Sequence, residues 1–410
     1  MDHFPKSFYW GAATSAYQVE GDAVNADWWH WEQQGGGTES SGAACRHYEM
    51  FCADFDLAQE LGHNAHRFSL EWSRIEPQEG VFSTPALEHY RQVVRALRER
   101  HLEPVVTLWH FTLPQWLAAQ GGWFAPRARF YFLRFIENVL PVLGHQVRVW
   151  ITINEPLVYA YFGYLKGTWP PQICSLPRAW ALINQLARAH VSAYRLIHAW
   201  YRDQGLSSPR VSIAKNCQAF TACTGRWQDR LAVKLRNSLF NLYILNILVR
   251  KKSLDFIGVN YYTRQVAHVQ KNNLMNLLLD SCEGAHDPRE KNSIGWDVYP
   301  EGLGMLLQML GRKYRLPLFI TENGICTTDD GRRWRFIQTH IREVQKAREA
   351  GIEVIGYLYW SLLDNYEWEK GFAPRFGLVE VDYRTYERRV RESGRLFSQV
   401  CRTGICPVEG

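Results

Sequence analysis

The sequence predicts an α/β chain folded as a single (β/α)8 (TIM) barrel over residues 1–410, on three observations. Short apolar or β-branched runs recur along the chain, each followed by a stretch whose apolar residues fall three and four apart. Several of these runs end in a side chain able to do chemistry. No Ser/Gly/Pro-rich linker separates one region from the next.

The candidate strands begin with Phe8–Ala12 and Ala65–Ser69, the second carrying Arg67. An amphipathic stretch, Pro85–Arg100, leads into Pro104–Trp109, which runs straight into His110. Arg127–Leu143 separates that strand from Val149–Asn154, which delivers Asn154 and Glu155. Trp180–Tyr201 precedes Arg210–Ala214, and Phe256–Asn260 ends in an amide. Leu318–Thr321 ends at Glu322; Trp334–Ala350 then leads to Val354–Trp360. Eight strand-before-helix units imply parallel strands joined by right-handed crossovers. A doubly wound open sheet fits the pattern too, but the eight units and the absence of a G-x-G-x-x-G turn after the first strand favour closure. In a closed barrel the strand ends converge on one mouth, where active sites are built.

Bulk properties exclude several classes. Apolar residues make up 46% of the chain, enough for a large core, and charged residues 21%. The net charge of +6 is dispersed; Arg250-Lys251-Lys252 and Arg332-Arg333 are too short, and too far from any recognition motif, to suggest nucleic acid. The most apolar run, Leu242 to Val249, is interrupted by Asn246 and falls well short of the ~20 residues that span a bilayer. The nine cysteines have no repeating spacing, which argues against a disulfide framework and for a cytoplasmic, reducing setting. Cys401 and Cys406 read as two free thiols. His63 and His66 form an H-x-x-H pair, but no third ligand follows at metal spacing, so neither metal nor cofactor is expected.

Two carboxylates carry the chemistry. Ile151-Thr152-Ile153-Asn154-Glu155-Pro156 ends an apolar strand in a Glu, and Ile320-Thr321-Glu322-Asn323-Gly324 does so again three units later. Cleavage of a glycosidic bond passes through an oxocarbenium-like state. It needs one carboxyl to protonate the leaving oxygen and a second to attack or stabilise the anomeric carbon. A single Glu at a barrel rim is often a salt-bridged structural residue; two at strand ends suit that division of labour.

With these residues in view, the chain resembles the family 1 glycoside hydrolases, the family of β-glucosidases and β-galactosidases. The resemblance runs from Phe8-Tyr9-Trp10-Gly11 to a final helix ending near Arg402. It is carried by Ser15-Ala16-Tyr17-Gln18-Val19-Glu20-Gly21, by Arg67-Phe68-Ser69-Leu70-Glu71-Trp72-Ser73-Arg74-Ile75 and by Asn154-Glu155-Pro156. Asn260-Tyr261-Tyr262-Thr263, Thr321-Glu322-Asn323-Gly324 and Trp360-Ser361-Leu362-Leu363-Asp364-Asn365 complete it. The resemblance implies a retaining β-glycosidase with Glu155 as acid/base and Glu322 as nucleophile. Asn154 would hold the sugar 2-hydroxyl, and Arg67 and Tyr262 would set a cation and a phenol donor beside Glu322, with Asn260 in support. Gln18, His110 and Glu367 would bind the outer hydroxyls, Trp360 would form the stacking floor and Trp368 would add an indole contact. It further implies a cis bond between Trp360 and Ser361. Expected partners are small-molecule β-glycosides or oligosaccharides, with neither nucleic acid nor membrane. Tyr17 and Trp10 read as core residues.

The chain departs from the family pattern at three places. Phe111 follows His110 and Leu157 lies two residues after Glu155, where many relatives carry Trp; the second change bears on the leaving-group side. Only 38 residues lie between Asn216 and Asp255, fewer than is usual. The apolar stretch Leu239–Val249 in this connection reads first as a barrel helix burying one face, and second as an exposed surface for homo-oligomerisation. Among rival functions, a non-catalytic sugar-binding barrel is disfavoured by the presence of both Glu. A 6-phospho-β-glycosidase is disfavoured by Glu367, where that subgroup has a small residue.

Overall fold

The computed structural model describes residues 3–269, 282 and 289–407. Eight parallel strands close into a barrel in the order β1 to β8, with β8 pairing back onto β1. They are β1 (Tyr9–Ala13), β2 (Ala65–Ser69), β3 (Glu103–Trp109), β4 (Val149–Asn154), β5 (Arg210–Ala222), β6 (Ile257–Ala267), β7 (Leu318–Asn323) and β8 (Val354–Trp360). The expectation of a closed (β/α)8 barrel over an open sheet is met.

Strand burial follows from this closure. A parallel strand in a barrel is covered on both faces, so it reads as a continuous apolar run rather than an alternation. Every residue of β2, β4 and β7 is buried. The bore is filled by one cluster drawn from successive strands, including Ala13, Ala65, Val105, Ile151, Ala214, Phe319 and Leu358. The large ring of Phe319 in this cluster stacks on Tyr9 and meets Phe256. A larger cluster packs the outer strand faces against the helices.

The principal helices are α1 (His47–Glu60), α2 (Thr84–Glu99), α3 (Ala128–Leu143), α4 (Leu176–Asp203), α5 (Trp227–Arg236), α6 (Tyr243–Arg250), α7 (Pro300–Tyr314), α8 (Asp330–Glu349) and α9 (Glu392–Thr403). In α3 the buried set Phe132, Phe135, Ile136, Val139, Leu140 and Leu143 repeats at the three-and-four spacing that lays one stripe on the barrel. Side chains cap the starts of three helices: Ser83 accepts from the Ala86 N–H, Ser175 from Arg178 and Asp329 from Arg332. No helix among the described residues is long and apolar enough to cross a membrane.

Two expectations are corrected. Strands β5 and β6 run well past Ala214 and Asn260 as a parallel ribbon pairing Ala219 with Arg264 and Ala222 with Ala267. A register shift between Cys217 and Ala219 lets the ribbon leave the barrel wall. This ribbon also corrects the expectation, drawn from cysteine spacing, that disulfides play no part. Cys223, just beyond β5, is bonded to Cys282, 59 residues on. Their spacing carried no signal because the ribbon, not the sequence, makes them neighbours. Cys401 and Cys406 are free, as expected. The first reading of Leu239–Val249, a barrel helix burying one face, is met over α6, where Ile244, Leu245 and Leu248 are buried; Leu239 and Phe240 before it border the central cavity.

Candidate active site

A cavity of about 960 Å³ opens at the C-terminal ends of the strands. Gln18, His110, Asn154, Glu155, Tyr262, Glu322, Trp360, Glu367 and Trp368 all line it. Arg67 and Asn260, both fully buried, stand directly beneath. Strand register explains the convergence. Asn216 pairs with Asn260 and Asn260 with Glu322, so one polar residue from each of β5 to β7 reaches the same level, while Asn154 on β4 pairs with Ala214, two residues before Asn216.

Glu322 is held from two sides. The Arg67 guanidinium donates to Oε1 at 2.5 Å, and the Tyr262 hydroxyl donates to Oε2 at 2.6 Å. Arg67 is itself fixed by donating to Thr107 Oγ1, the Thr321 carbonyl and Asn154 Oδ1. A guanidinium with its fork filled in this way presents a rigid cation to the carboxylate. Burial, then the Glu322 charge, pushes the Tyr262 phenol well above its ordinary range, so it stays a donor. The next residue but one, Gly324, has no room for a side chain: a Cβ there would lie 1.9 Å from the Trp360 carbonyl. This close approach locks the end of β7 to the end of β8.

Glu155 has different company. It sits at φ 41°, ψ 59°, a left-handed conformation at the turn from β4 into the helix begun by Pro156. Its donors are amides only: Asn260 Nδ2 at 2.8 Å and Asn216 Nδ2 at 3.2 Å, both to Oε1. Burial first, and the charge of Glu322 second, push its carboxyl up to about 7; the two amides and Lys215 pull the other way without prevailing. The site thus contains a carboxylate facing a cation and a carboxyl that carries its proton near neutrality. Such a pair can deliver a proton and a nucleophile to one bond.

Asn154 and His110 are ordered by the same network. Asn154 Oδ1 accepts from Arg67 and Asn260, so its amide nitrogen faces His110 Nε2 at 3.0 Å. Nε2 must then be the acceptor, which puts the imidazole proton on Nδ1. Burial and the nearby Arg67 hold His110 well below its ordinary pKa, so the ring is neutral. Among the described residues its Nδ1 has no hydrogen-bond partner, so it can donate to a ligand.

The segment after β8 forms the far wall. Asp364, fully buried, accepts from Arg391 and from the Gly377 N–H, fixing the loop between them. Gln18 binds this loop through its amide nitrogen, donating to the Tyr366 carbonyl at 2.7 Å, to Asn365 at 3.1 Å and to Glu367 at 3.4 Å. Glu367 is raised to about 8 by burial, then by Glu369 and Glu322. Trp368 lies parallel to Tyr17, with ring centres 5.9 Å apart and 4° between planes, and meets Trp28 and Trp169. Tyr17 therefore supports the wall from the core, and Trp10 packs among Phe4, Phe8 and Tyr357. The Trp360–Ser361 peptide bond is cis. Phe111 is buried against Trp169 and Trp368.

Asn216 and Lys215 escaped the sequence reading. Both lie on the part of β5 beyond the expected strand end, and the run Lys215-Asn216-Cys217 matches no motif quoted above. Lys215 is buried over the Phe240 ring and donates to the Asn216 carbonyl; burial lowers its pKa to about 8. His63 and His66 are ordinary core residues here, His63 against Phe397 and His66 bonded to Thr14.

Comparison with known proteins agrees with this geometry. Residues 1–250 and 221–405 match the model described as Glycosyl hydrolase family 1. A 1,4-beta-D-glucan glucohydrolase from Thermotoga neapolitana is 30% identical over 447 residues, covering 98% of each chain. A β-glycosidase from Pyrococcus horikoshii is similar in structure, with a TM-score of 0.92 at 39% identity over 98% of this chain and 95% of that one. A β-glucosidase from Thermotoga maritima in complex with glucoimidazole gives 0.90 at 27% identity, over 98% and 99%.

Proposed function

Because the chain belongs to glycosyl hydrolase family 1, and is an O-glycosyl hydrolase of the β-glucosidase type, we propose that it hydrolyses terminal, unphosphorylated β-D-glycosides with retention of configuration. β-Glucosides are the main substrates in this reading, with β-galactosides and β-fucosides as side activities, and residues 1–410 act as one catalytic domain. The observation that carries it is the unequal treatment of the two carboxyls. Glu322 faces a guanidinium and a phenol, whereas Glu155 faces two amides and is raised to about 7.

The first step then runs as follows. Glu322 attacks the anomeric carbon from the α face while Glu155 passes its proton to the glycosidic oxygen, and the aglycone leaves. Glu155, now a carboxylate, takes a proton from water, which displaces Glu322 and restores the β-anomer. Asn154 is placed to hold the 2-hydroxyl, Asn260 keeps Asn154 and Glu155 in register, and His110 Nδ1 and Gln18 meet the outer hydroxyls. Trp360 lies under the ring, with Glu367 and Trp368 at its far edge.

A 6-phosphate would enter a group of carboxyls, and Lys370 at the rim is taken up by Glu369 at 3.1 Å. Unphosphorylated substrate should therefore win by a wide margin in kcat/KM; equal turnover of the 6-phospho substrate would overturn this part. The deciding test is NMR of the first-formed sugar, which should be the β-anomer. Glu322→Gly should abolish turnover and, given azide, yield the α-glycosyl azide. Glu155→Ala with an activated substrate and azide should yield the β-glycosyl azide. An α-anomer from the unaltered enzyme would remove Glu322 as nucleophile.

A further inference from the structure

Lys215 is a buried charged side chain beside the site that neither step of the reaction uses. It lies on β5, one residue before Asn216, and is fully closed to solvent. Taking an ammonium out of water is costly unless partners replace the water. Among the described residues no carboxylate forms an ion pair with it. Its Nζ donates instead to the Asn216 carbonyl and lies 4.1 Å from the centre of the Phe240 ring. Leucine or methionine would fill the same space at no such cost. What Lys215 adds is a directed donor and a positive charge.

The place where it sits explains the donor. β5 pairs with β6 through Cys217 and Tyr261, then resumes at Ala219 and Arg264, so the register shifts just beyond Asn216. A shift interrupts the ladder of strand hydrogen bonds. The π-helical turn Asn237–Leu242 covers this break. Asn241, fully buried, acts as a substitute strand partner: its amide nitrogen donates to the Gln218 carbonyl at 2.8 Å, and its Oδ1 accepts from the Gln218 N–H at 3.0 Å. Its neighbour Phe240 covers the Lys215 ammonium, which holds the Asn216 carbonyl. Two consecutive residues of one turn thus clamp β5 on both sides of the shift. Asn216 lies inside the clamp, and its side chain donates to Glu155 Oε1 at 3.2 Å.

The charge has a second effect. The titratable groups acting on Glu155 are Lys215 and Cys217 from β5, Tyr262 from β6, Glu322 from β7 and Glu367 from the segment after β8. Burial pushes the Cys217 thiol and the Tyr262 phenol up, so both are neutral, and Lys215 is the cation of this set. Around Lys215 itself stand Cys217 and Glu155, with Tyr314 of α7 acting on Cys217. Burial lowers Lys215 to about 8, above the value near 7 of Glu155, so it keeps its charge while Glu155 gives up its proton. A cation favours the carboxylate form of Glu155. That is the form the second step needs, when Glu155 takes a proton from water.

We propose that Lys215 is a positioning residue for the acid/base: anchored under Phe240, it fixes the Asn216 backbone and sets a positive charge behind the Asn216–Glu155 hydrogen bond, favouring the second step of the reaction over the first. The proposal deepens the retaining-glycosidase reading and rests on it for the two steps. Lys215→Met keeps the length and bulk and removes donor and charge. Without the cation Glu155 holds its proton more tightly, so the alkaline limb of kcat/KM should move up by roughly half a pH unit or more. On 2,4-dinitrophenyl β-D-glucoside, whose leaving group needs little help from a proton, the second step limits turnover. There kcat and KM should fall together by about threefold or more, with kcat/KM at its optimum held within about twofold. A folded Lys215→Met whose limb, kcat and KM all match wild type makes the residue merely structural and overturns the proposal.

Should Lys215→Met fail to fold, Phe240→Leu reads the same quantity. Without the ring the ammonium gives up its proton more readily, so the limb again moves up; a limb that stays or moves down refutes the assignment. Carbon-13 NMR of the Glu carboxyls, with Glu155 identified by its loss in Glu155→Gln, separates this proposal from the catalytic one because it needs no turnover. The Glu155 midpoint should rise in Lys215→Met relative to wild type. If it rises while neither protein hydrolyses any glycoside, the retaining-glycosidase reading fails and the placement of Lys215 stands. If hydrolysis proceeds with retention and neither midpoint nor limb moves, the reading stands and Lys215 has no part in positioning the acid/base.

Discussion

Glu155 combines a left-handed backbone, burial and purely neutral donors, and each has a measurable result. Its carboxyl loses its proton as pH rises through about 7, so kcat/KM should fall on that limb. Asn260 lowers this value, and Asn260→Ala should therefore move the limb to higher pH while reducing kcat; a limb that moves down would contradict the assignment. The same shift bears on stability. The folded chain holds this proton more tightly than the unfolded one, whose Glu titrates near 4.5, so stability is lost as pH rises from about 4.5 to about 7. Above that window the buried charge costs up to about 3 kcal/mol, the whole shift converted to energy. Glu155→Gln removes the titration, so its Tm relative to wild type should be higher at pH 8 than at pH 5. The two Glu were legible in the sequence because each ends an apolar strand in a short motif. Asn216 was not, because an amide beyond a strand whose end was misplaced gives no signal until β5 and β6 pair.

At the scale of elements, the sequence was clearest where a strand is buried on both faces. β2, β4 and β8 have the bounds read from their apolar runs, and β7 extends only to Asn323. The β5–β6 ribbon was missed because Gln218, Arg264 and Gln265 interrupt it with polar residues. Their strand character comes from pairing across a register shift, a non-local cause. The reading of Leu239–Val249 as a barrel helix burying one face holds for α6, and the π-helical turn before it, which the sequence did not signal, sets Leu239 and Phe240 at the border of the cavity. Close strand approach gives a sharp test. Gly11 of β1 pairs with Ala65 of β2, and a Cβ at Gly11 would lie 1.8 Å from the Ala65 carbonyl oxygen. Gly11→Ala should lower unfolding free energy by about 1–3 kcal/mol or more in chemical denaturation; an unchanged midpoint would show that the pair can spread freely.

For the molecule as a whole, closure is the organising event, and its last piece is α9. Phe397 from that helix is fully buried among Trp10, His63, Tyr357 and Tyr359, so it joins residues from both ends of the chain. Phe397→Ala should cost about 3–5 kcal/mol, read as a fall in Tm, with the pH profile of activity unaltered below the transition. The fold class was legible at this scale because eight units in series admit few other arrangements; closure itself rests on contacts between distant residues. β1 pairs with β8, the Ser361 hydroxyl donates to the Ala13 carbonyl across 348 positions, and the Phe4 N–H donates to the Gly404 carbonyl. A chain emerging from the ribosome cannot close the barrel until β8, ending at Trp360, is free, nor seat α9 and the Phe4–Gly404 contact until Gly404 is. Before then β1 and the latest strand stand as open edges, able to pair with a neighbouring nascent chain as readily as with each other. The β1–β8 pairing that closes the barrel thus leaves two sheet edges uncovered during synthesis, the interval in which they are exposed to mispairing.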